Sequence, residues 1–269
     1  MHERERHRLI LKLVEERAVV GVGDLVDLLD ASEATIRRDI IALAERGRLR
    51  RVRGGAEALN PRHKPHVVGV PFAVNLGVAS AEKRAIARAA AGLVEAGDSL
   101  IINAGTTTLR MVEFLKDLDV DILTNSFPIA AELFANTRCR ITLPGGTVYP
   151  EQAVILSPYD GADVVDHFAA RIMFTGALGV GRPGMMEGDP LLVQSERRLM
   201  RRAERLVVLV DHRKLRARSA MVVAGLSEIA LVVTDDGARE EDLAPLKDAG
   251  TQVMIAPVLA EDRELEAAA

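Results

Sequence analysis

The chain has little of several residue types, and each shortage excludes a class of site. It has no Trp, only 3% aromatic residues and a single cysteine, Cys139. With so few aromatic rings, any nucleic-acid contact would depend on charge and hydrogen bonds rather than on base stacking. One thiol cannot form an internal disulfide or a multi-cysteine zinc site.

Long hydrophobic runs are also missing. No apolar stretch approaches the roughly 20 residues of a membrane span, and the start "MHERERHRLI" is too charged for a signal peptide. With 269 residues, of which 48% are hydrophobic, the chain can nevertheless bury a sizeable core. We therefore expect a folded cytoplasmic protein with no membrane partner.

Charge is distributed unevenly along the chain. The net charge is −4, yet between residues 37 and 53 seven arginines oppose only Asp39 and Glu45, which leaves +5. A solvated helix face usually mixes both signs. A compact basic patch on an acidic chain therefore indicates a module that binds a polyanion.

The first 57 residues have the pattern of three short helices and an Arg-rich hairpin. Ser32 is a good N-cap for the third helix, and "RLRRVRGG" alternates as a two-stranded wing would. A recognition helix presents its N-terminal half to the major groove, where arginines read guanine edges, while wing arginines hold phosphates. The candidate DNA-binding residues are therefore Thr35, Arg37, Arg38, Arg50, Arg51 and Arg53. The alternative is a three-helix adaptor with a charged outer face.

The rest of the chain has a different organisation. Residues 58–80 contain three prolines without periodicity and are predicted to be a linker. Between residues 81 and 257, short apolar strands alternate with helical patterns, which predicts an open, mostly parallel α/β domain. Residues 258–269 are predicted to be a C-terminal tail.

Four polar loops follow strands of this predicted sheet, where open α/β sheets bind ligands. Glycines admit close backbone approach, hydroxyls and amides donate to phosphate oxygens, and a lysine adds charge. Any one such loop is more often an ordinary strand-to-helix turn, but four in one sheet favour an anion site. The candidate ligand-binding residues are Asn103, Gly105, Thr106, Thr107, Thr108, Thr124, Asn125, Ser126, Gly145, Gly146 and Lys214.

The first 60 residues resemble the winged helix-turn-helix of the DeoR family of bacterial transcription regulators. The stretches "SEATIRRDI" and "RVRGGAEAL" carry this resemblance, and Ser32 falls on one of its characteristic positions. Residues 81–257 resemble the sensor domain of the same family, which is similar to ribose-5-phosphate isomerases. The resemblance implies a repressor that binds double-stranded operator DNA, with Ser32 in the DNA interface, and that a phosphorylated sugar or related metabolite releases.

The resemblance also bears on assembly and on the effector. Two-fold operators pair with two-fold proteins, so we expect a homodimer or homotetramer, and no cofactor is implied. "RVRGGAEA" and "RIMFTGALGV" are more similar to the family branch that controls ascorbate utilisation than to the glycerol-3-phosphate branch. However, Asn103 replaces the usual acidic residue, and residues 211–214 read Asp-His-Arg-Lys where Asp-x-Ser-Lys is usual. Both departures lie in the predicted pocket, so the effector cannot be copied from relatives.

An isomerase with a DNA-binding appendage is the alternative from another class, and an activator of the same architecture is a third. In the isomerases a D-G-x-D loop supplies acid–base chemistry, whereas the matching residues 177–180 here are Ala, Leu, Gly and Val. Glu187 and Asp189 follow in a Gly-rich loop and are predicted to cap the next helix. Without a positioned base, we expect binding without turnover. His63 and His66 lack a third ligand, so no metal site is expected.

Overall fold

The computed structural model describes residues 3–17, 19–29, 31–52, 54–59, 72–157 and 164–268. The chain divides into two units of structure, the first ending at Leu76 and the second beginning at Gly77. Each unit buries apolar side chains of its own.

The first unit combines helices with a small antiparallel sheet in the strand order β1-β3-β2. Its elements are α1 (Glu3–Arg17), β1 (Val19–Gly21), α2 (Val22–Leu29), α3 (Glu33–Glu45), β2 (Leu49–Val52), β3 (Gly55–Ala58) and α4 (Phe72–Leu76). Strands β2 and β3 form the predicted wing hairpin, with Arg50 opposite Glu57. Strand β1 pairs with β3 and completes the sheet.

Local interactions define both ends of α3. Ser32 precedes it with extended backbone, and its hydroxyl accepts a hydrogen bond from the Thr35 N–H at 3.3 Å. At the other end Gly47 adopts φ +62°, a left-handed conformation that favours glycine and stops the helix. Ile36 and Ile40 pack inward, so the remaining face of α3 points to solvent.

The second unit is an α/β domain. Its helices are α5 (Ser80–Ala91), α6 (Thr106–Arg110), α7 (Phe127–Asn136), α8 (Pro190–Met200), α9 (Glu240–Asp248) and α10 (Ala260–Ala268). Its strands are β4 (Ser99–Ile102), β5 (Asp121–Leu123), β6 (Arg140–Thr142), β7 (Thr147–Tyr149), β8 (Val154–Leu156), β9 (Ala170–Thr175), β10 (Gly179–Gly181), β11 (Gly184–Glu187), β12 (Ala203–Leu209), β13 (Met221–Ala224), β14 (Leu231–Asp235) and β15 (Gln252–Ala256).

Seven parallel strands form the main sheet, in the order β15-β14-β12-β9-β4-β5-β6. This confirms the prediction of a helix-turn-helix unit followed by an open, mostly parallel α/β domain. Because parallel strands end at the same edge, the loops after β5, β4, β9 and β12 are neighbours there. The order of the strands therefore decides which predicted loops can share a ligand.

Two smaller sheets occupy stretches that the sequence pattern treats as loops. Strands β7 and β8 form an antiparallel hairpin directly after "LPGG", and β10, β11 and β13 form a second antiparallel sheet. Both consist of strands of three or four residues, too short for a clear alternation of polar and apolar residues.

The stretch predicted to be a C-terminal tail contains helix α10, which packs against α5. Its anchor is Asp262, whose buried carboxylate accepts hydrogen bonds from Arg88 Nη1 at 2.8 Å and Nη2 at 2.9 Å and also pairs with Arg84. Apolar periodicity cannot reveal a helix that is held mainly by ion pairs.

Replacing Asp262 by alanine should destabilise the second unit by about 3 kcal/mol, because two arginines lose their buried partner. Glu261→Ala is the matched control. Its side chain pairs with Arg84 and Arg88 at 3.3 Å but is 59% exposed, so its loss should cost less than about 1 kcal/mol. Urea unfolding followed by circular dichroism measures both changes, and equal losses would contradict the anchoring role of Asp262.

Candidate functional site

The exposed face of α3 carries the first group of predicted DNA-binding residues. The hydroxyls of Ser32 and Thr35 lie 2.8 Å apart at the start of the helix. Arg37 Nε donates to Glu33 Oε1 at 2.9 Å, and Arg38 Nε donates to the backbone carbonyl four residues earlier at 3.2 Å. Both arginine side chains are exposed, so their donors point away from the core of the unit.

The wing supplies the second group. Arg50 donates to Glu57 Oε2 at 2.8 Å across the β2–β3 hairpin, and Arg51 is exposed. A groove of about 510 Å³ is lined by both Arg37 and Arg51, which places a recognition-helix arginine and a wing arginine on one face. Arg53, also predicted to bind DNA, lies outside the described residues.

Asp39 lies on the buried side of α3. Its Oδ1 accepts hydrogen bonds from Arg6 Nη2 at 3.1 Å and from His7 Nε2 at 3.0 Å. Burial opposes ionisation, but these bonds hold the pKa of Asp39 below its ordinary value. The carboxylate therefore joins α3 to α1 and does not belong to the exposed basic face.

Three of the predicted ligand-binding loops meet at the carboxyl edge of the main sheet. Asn125 Oδ1 accepts a hydrogen bond from the Ala104 N–H at 2.8 Å, which joins the loops after β5 and β4. Asn125 and Gly145 line the same small cavity of about 30 Å³, so the loop after β6 belongs to the group. The strand order thus assembles loops that are far apart in sequence.

Several hydroxyls predicted to bind phosphate stabilise these loops. Thr108 Oγ1 donates to the Asn103 carbonyl at 2.8 Å, Thr124 Oγ1 accepts from the Ser126 N–H at 3.1 Å, and Ser126 caps α7. The buried members of the group are Thr106, Thr107, Thr108, Thr124 and Ser126. A contact between these hydroxyls and a ligand stays a prediction.

Of the three glycines predicted to admit close backbone approach, Gly105 and Gly146 differ from one another. Gly105 has φ 170°, extended backbone that any residue adopts, and a Cβ there would lie 3.0 Å from Thr108 Oγ1. Gly146 has φ +145°, and its Cβ would lie 2.5 Å from the Leu156 carbonyl oxygen. The requirement for glycine at 146 therefore comes from the β7–β8 hairpin, and a contact between Gly146 and a ligand stays a prediction.

Lys214 lies in the short 3₁₀ turn of residues 212–215 after β12. Its Nζ donates to the Ala177 carbonyl at 2.7 Å, in the loop after β9. Burial lowers the pKa of Lys214, while the carboxylates of Asp211 and Glu187 act in the opposite direction. Lys214 is therefore a half-buried cation at the junction of two strand-end loops.

A buried lysine on α5 that the sequence reading missed faces the same region. Lys83 is 0% exposed, and burial, followed by repulsion from Lys214, lowers its pKa to about 8, with Arg213 and Arg110 acting the same way and Asp211 opposing. Arg110 is the last residue of α6, the helix that follows the "AGTTT" loop. We call Lys83, Arg110, Arg213 and Lys214 the cation cluster. Through Lys83 it links the loop after β4 with the turn after β12.

The signal for Lys83 was present in the sequence. In "EKRAIARAAA" it precedes the buried Ile86 by three residues and the buried Ala90 by seven, so it lies on the apolar face of the helix. A lysine at such a position is unusual, because lysine side chains are seldom fully buried.

The carboxylates of this domain are partly where they were predicted. Asp189 caps α8, accepting from the Leu191 N–H at 2.8 Å. The same prediction for Glu187 is wrong, because Glu187 is the buried last residue of β11, where burial raises its pKa to about 7. Glu196 on α8 is also buried, and burial with repulsion from Glu187 raises its pKa well above the ordinary value. Two buried carboxyl groups, Glu187 and Glu196, thus interact inside the domain.

Two further features are absent from the described ranges. There, no group of three or more His, Cys, Asp or Glu residues is arranged to hold a metal ion. None of the helices in those ranges is both long and apolar enough to cross a membrane. His63 and His66 lie outside the described residues.

Comparison with known families decides the assignment. A model of the DeoR-like helix-turn-helix domain matches residues 6–62, and a model of the DeoR C-terminal sensor domain matches residues 78–236. The chain belongs to the DeoR family. Both halves of a DNA-binding transcriptional regulator are present, which confirms the resemblance seen in the sequence.

Individual relatives agree with the family assignment. The HTH-type transcriptional regulator UlaR of Shigella sonnei (strain Ss046) is 32% identical over 254 residues, which cover 94% of this chain and 99% of the relative. UlaR of Escherichia coli O127:H6 gives the same values.

Solved structures are more distant. A ribose 5-phosphate isomerase A from Methanocaldococcus jannaschii is 19% identical, with a TM-score of 0.37 over 49% of this chain and 52% of that one. The Pyrococcus horikoshii translation initiation factor eIF-2B is 13% identical, with a TM-score of 0.36 over 80% and 67%. Scores this low carry no structural argument.

Glu187 should make the stability of the second unit depend on pH. Its pKa rises from an ordinary 4.5 to about 7 on folding, so between these values the folded state holds a proton that the unfolded state has lost. The associated stability is present below about pH 4.5 and declines as the pH rises through 7. Glu187→Gln should reduce this decline, to which Glu196 also contributes, and be more stable than wild type at pH 8 by on the order of 1–3 kcal/mol.

Urea unfolding at pH 5 and pH 8 measures the effect, with the exposed Glu264→Gln as the control that should follow wild type. If wild type and Glu187→Gln lost stability in parallel between these pH values, the assigned environment of Glu187 would be wrong.

Proposed function

We propose that this regulator represses an operon for the use of a sugar or sugar acid, and that a phosphorylated sugar or related metabolite releases it from its operator. The observation that carries the proposal is the cation cluster. Lys83, Lys214, Arg213 and Arg110 bring positive charge to one edge of the sheet, and an anion bound there would be attracted to all four groups. A phosphate group fits this requirement in charge and in hydrogen-bonding capacity.

The DNA side of the proposal depends on the exposed face of the first unit. The N-terminal half of α3 enters the major groove, where Arg37 and Arg38 contact base edges. The Arg37–Glu33 pair is exposed on both sides, so exchanging it for a base contact costs little. The hydroxyl and wing residues that position the helix on phosphates are Ser32, Thr35, Arg50, Arg51 and Arg53.

The effector side depends on the assembled strand-end loops. The phosphate binds against the cation cluster, and the loops after β4, β5 and β6 enclose the rest of the ligand. The proposed effector-binding residues are Lys83, Asn103, Gly105, Thr106, Thr107, Thr108, Arg110, Thr124, Asn125, Ser126, Gly145, Gly146 and Lys214.

The mechanism is linkage between the two sites. An effector must weaken operator binding if it binds more tightly to the arrangement of the protein that cannot bind DNA. The operator then weakens effector binding by the same factor. One winged helix makes few contacts, so a homodimer or homotetramer on a two-fold operator in the cytoplasm completes the proposal.

We infer that the effector is bound and not converted. The relatives of this chain are named as transcriptional regulators, which supports binding without conversion. Turnover of the ligand is tested directly below.

Replacing Arg37 or Arg38 by alanine should weaken specific operator binding by roughly 1–3 kcal/mol and relax sequence preference. Arg51→Ala should instead weaken binding to all sequences and reduce the slope of log K against log salt by about 1. Fluorescence anisotropy with operator and scrambled duplexes at several salt concentrations separates the two effects. Arg201→Ala, at an exposed position of the second unit, is the control. Operator binding by Arg37→Ala that is as tight as that of Arg201→Ala would refute the groove assignment.

Lys83→Met should abolish the response to effector, because the buried volume is kept while the charge is removed. In wild type, effector affinity should also fall as the pH rises through about 8, since the pKa of Lys83 lies there and its ammonium loses its proton. Ligand-induced shifts in Tm across a panel of sugar phosphates measure both, and a ligand at 100 times its Kd stabilises by about 2.7 kcal/mol.

The exposed Lys116→Met is the matched control and should respond as wild type does. A Lys83→Met protein that responds at the wild-type ligand concentration would place the phosphate elsewhere.

NMR of the bound sugar phosphate after prolonged incubation with the protein should show the compound unchanged. The appearance of an isomer at a rate that depends on the protein concentration would overturn the inference of binding without turnover.

A further inference from the structure

The first unit has a second groove, which none of the predicted DNA-binding residues lines. Its volume is about 490 Å³, and it is lined by residues of α1, of the end of α3 and of the turn that follows. The buried Leu43 forms part of its wall, and the charged side chains along it are exposed. We call it the α1 groove, and the Arg, Lys and Glu residues that line it are Arg8, Lys12, Glu15, Arg46 and Arg48.

The α1 groove is basic. Four of these five residues are cations and Glu15 is a single carboxylate, which leaves a formal charge of +3. Arg8, Arg46 and Arg48 form no ion pair with any residue that the structure describes, whereas Arg37 on the recognition face pairs with a glutamate. A solvated surface usually mixes both signs, and the chain as a whole is acidic, with a net charge of −4. The groove therefore indicates an anionic partner.

The turn of helix α3 decides where the α1 groove lies relative to the recognition face. Arg46 follows Arg37 by nine residues, and at 3.6 residues per turn this is about two and a half turns. Arg37 lines the groove on the wing side of α3, so Arg46 and the α1 groove lie on the opposite flank of the helix. The exposed face that carries Arg38 lies between these two flanks.

A helix in the major groove of DNA meets phosphates on both of its sides. The groove is about 8.5 Å deep and an α-helix is about 10–12 Å across, so the two sugar–phosphate backbones rise beside the helix. The wing arginines are predicted to contact one of these backbones. A basic surface on each flank of α3 therefore matches the two strands that border one groove.

We propose that the α1 groove binds the phosphate backbone of the DNA strand opposite the one that the wing contacts. Arg8, Arg46 and Arg48 neutralise phosphates of that strand, and Lys12 adds positive charge beside them. The inference rests on the proposed function, in which α3 lies in the major groove. It extends the phosphate contacts of the winged unit from one strand of the duplex to both.

The salt dependence of DNA binding by the full-length protein tests these contacts. The probes are a duplex that the wild-type protein selects from a random pool and a scrambled duplex of the same composition. The triple variant Arg8→Ala/Arg46→Ala/Arg48→Ala should reduce the slope of log K against log salt by about 3 on both duplexes, because phosphate contacts carry no sequence information. Arg201→Ala is the control and should keep the wild-type slope. A triple variant with the wild-type slope overturns the proposal.

Glu15→Gln should have the opposite effect, with Glu264→Gln in the second unit as the control. The substitution removes a carboxylate that repels phosphates, so both duplexes should bind several-fold more tightly at low salt. A gain in affinity cannot result from a loss of folding. If Glu15→Gln binds no more tightly than Glu264→Gln, the α1 groove does not face DNA and the proposal is wrong.

Neutral methylphosphonates, placed one at a time in the selected duplex, show which strand each surface contacts. Within one half-site, neutral positions on both strands should weaken binding by the wild-type protein. The triple variant should lose this sensitivity on one strand only, and Arg51→Ala should lose it on the other strand only. Loss of sensitivity on the same strand in both proteins would contradict the assignment of the α1 groove to the opposite strand.

The same experiments separate this inference from the proposed function. If the wild-type protein selects a duplex and Arg51→Ala lowers the salt slope while the triple variant does not, only the assignment of the α1 groove is wrong. If the wild-type protein selects no duplex from the pool, the proposed function fails and this inference fails with it.

Discussion

The burial of the Lys83 ammonium group is the physical constraint on which the proposed effector site depends. A lysine that is 0% exposed loses its hydration, and Lys214, Arg213 and Arg110 add repulsion that Asp211 offsets in part. An apolar side chain of similar volume would pack at this position without the cost of burying a charge. We therefore interpret the buried charge as functional. Under the proposed function, a phosphate bound at the cation cluster would reduce this repulsion and so stabilise the domain.

Buried polar groups of Asn103, Glu187 and Glu196 are a second constraint on this domain. Asn103 Oδ1 and Glu196 Oε2 are buried without a hydrogen-bond partner among the described residues, and burial raises the pKa of Glu187 to about 7. Glu187 and Lys214 act on one another, so buried groups of both signs meet at this edge of the sheet.

Much of the fold could be predicted from the sequence, because caps and apolar spacing are local. Ser32 and Asp189 cap α3 and α8 as expected, and the alternation of strands and helices predicts the parallel sheet. The site was predicted less completely. The composition of a helix does not say which polar residue turns inward, so Lys83 and Glu196 were missed. Glu187 was misplaced because the short β11 and its partners have no periodic signal, and α10 was missed because ion pairs hold it.

Reciprocal linkage is the most direct test of the central claim that the sheet-edge site controls DNA binding. The dissociation constant of operator is measured by anisotropy with and without a saturating amount of the phosphorylated sugar that binds best. The dissociation constant of that sugar is measured by calorimetry with and without saturating operator. The account predicts that each ligand weakens the other by the same factor, on the order of 5- to 150-fold. Sugar binding that is unchanged by operator would contradict it.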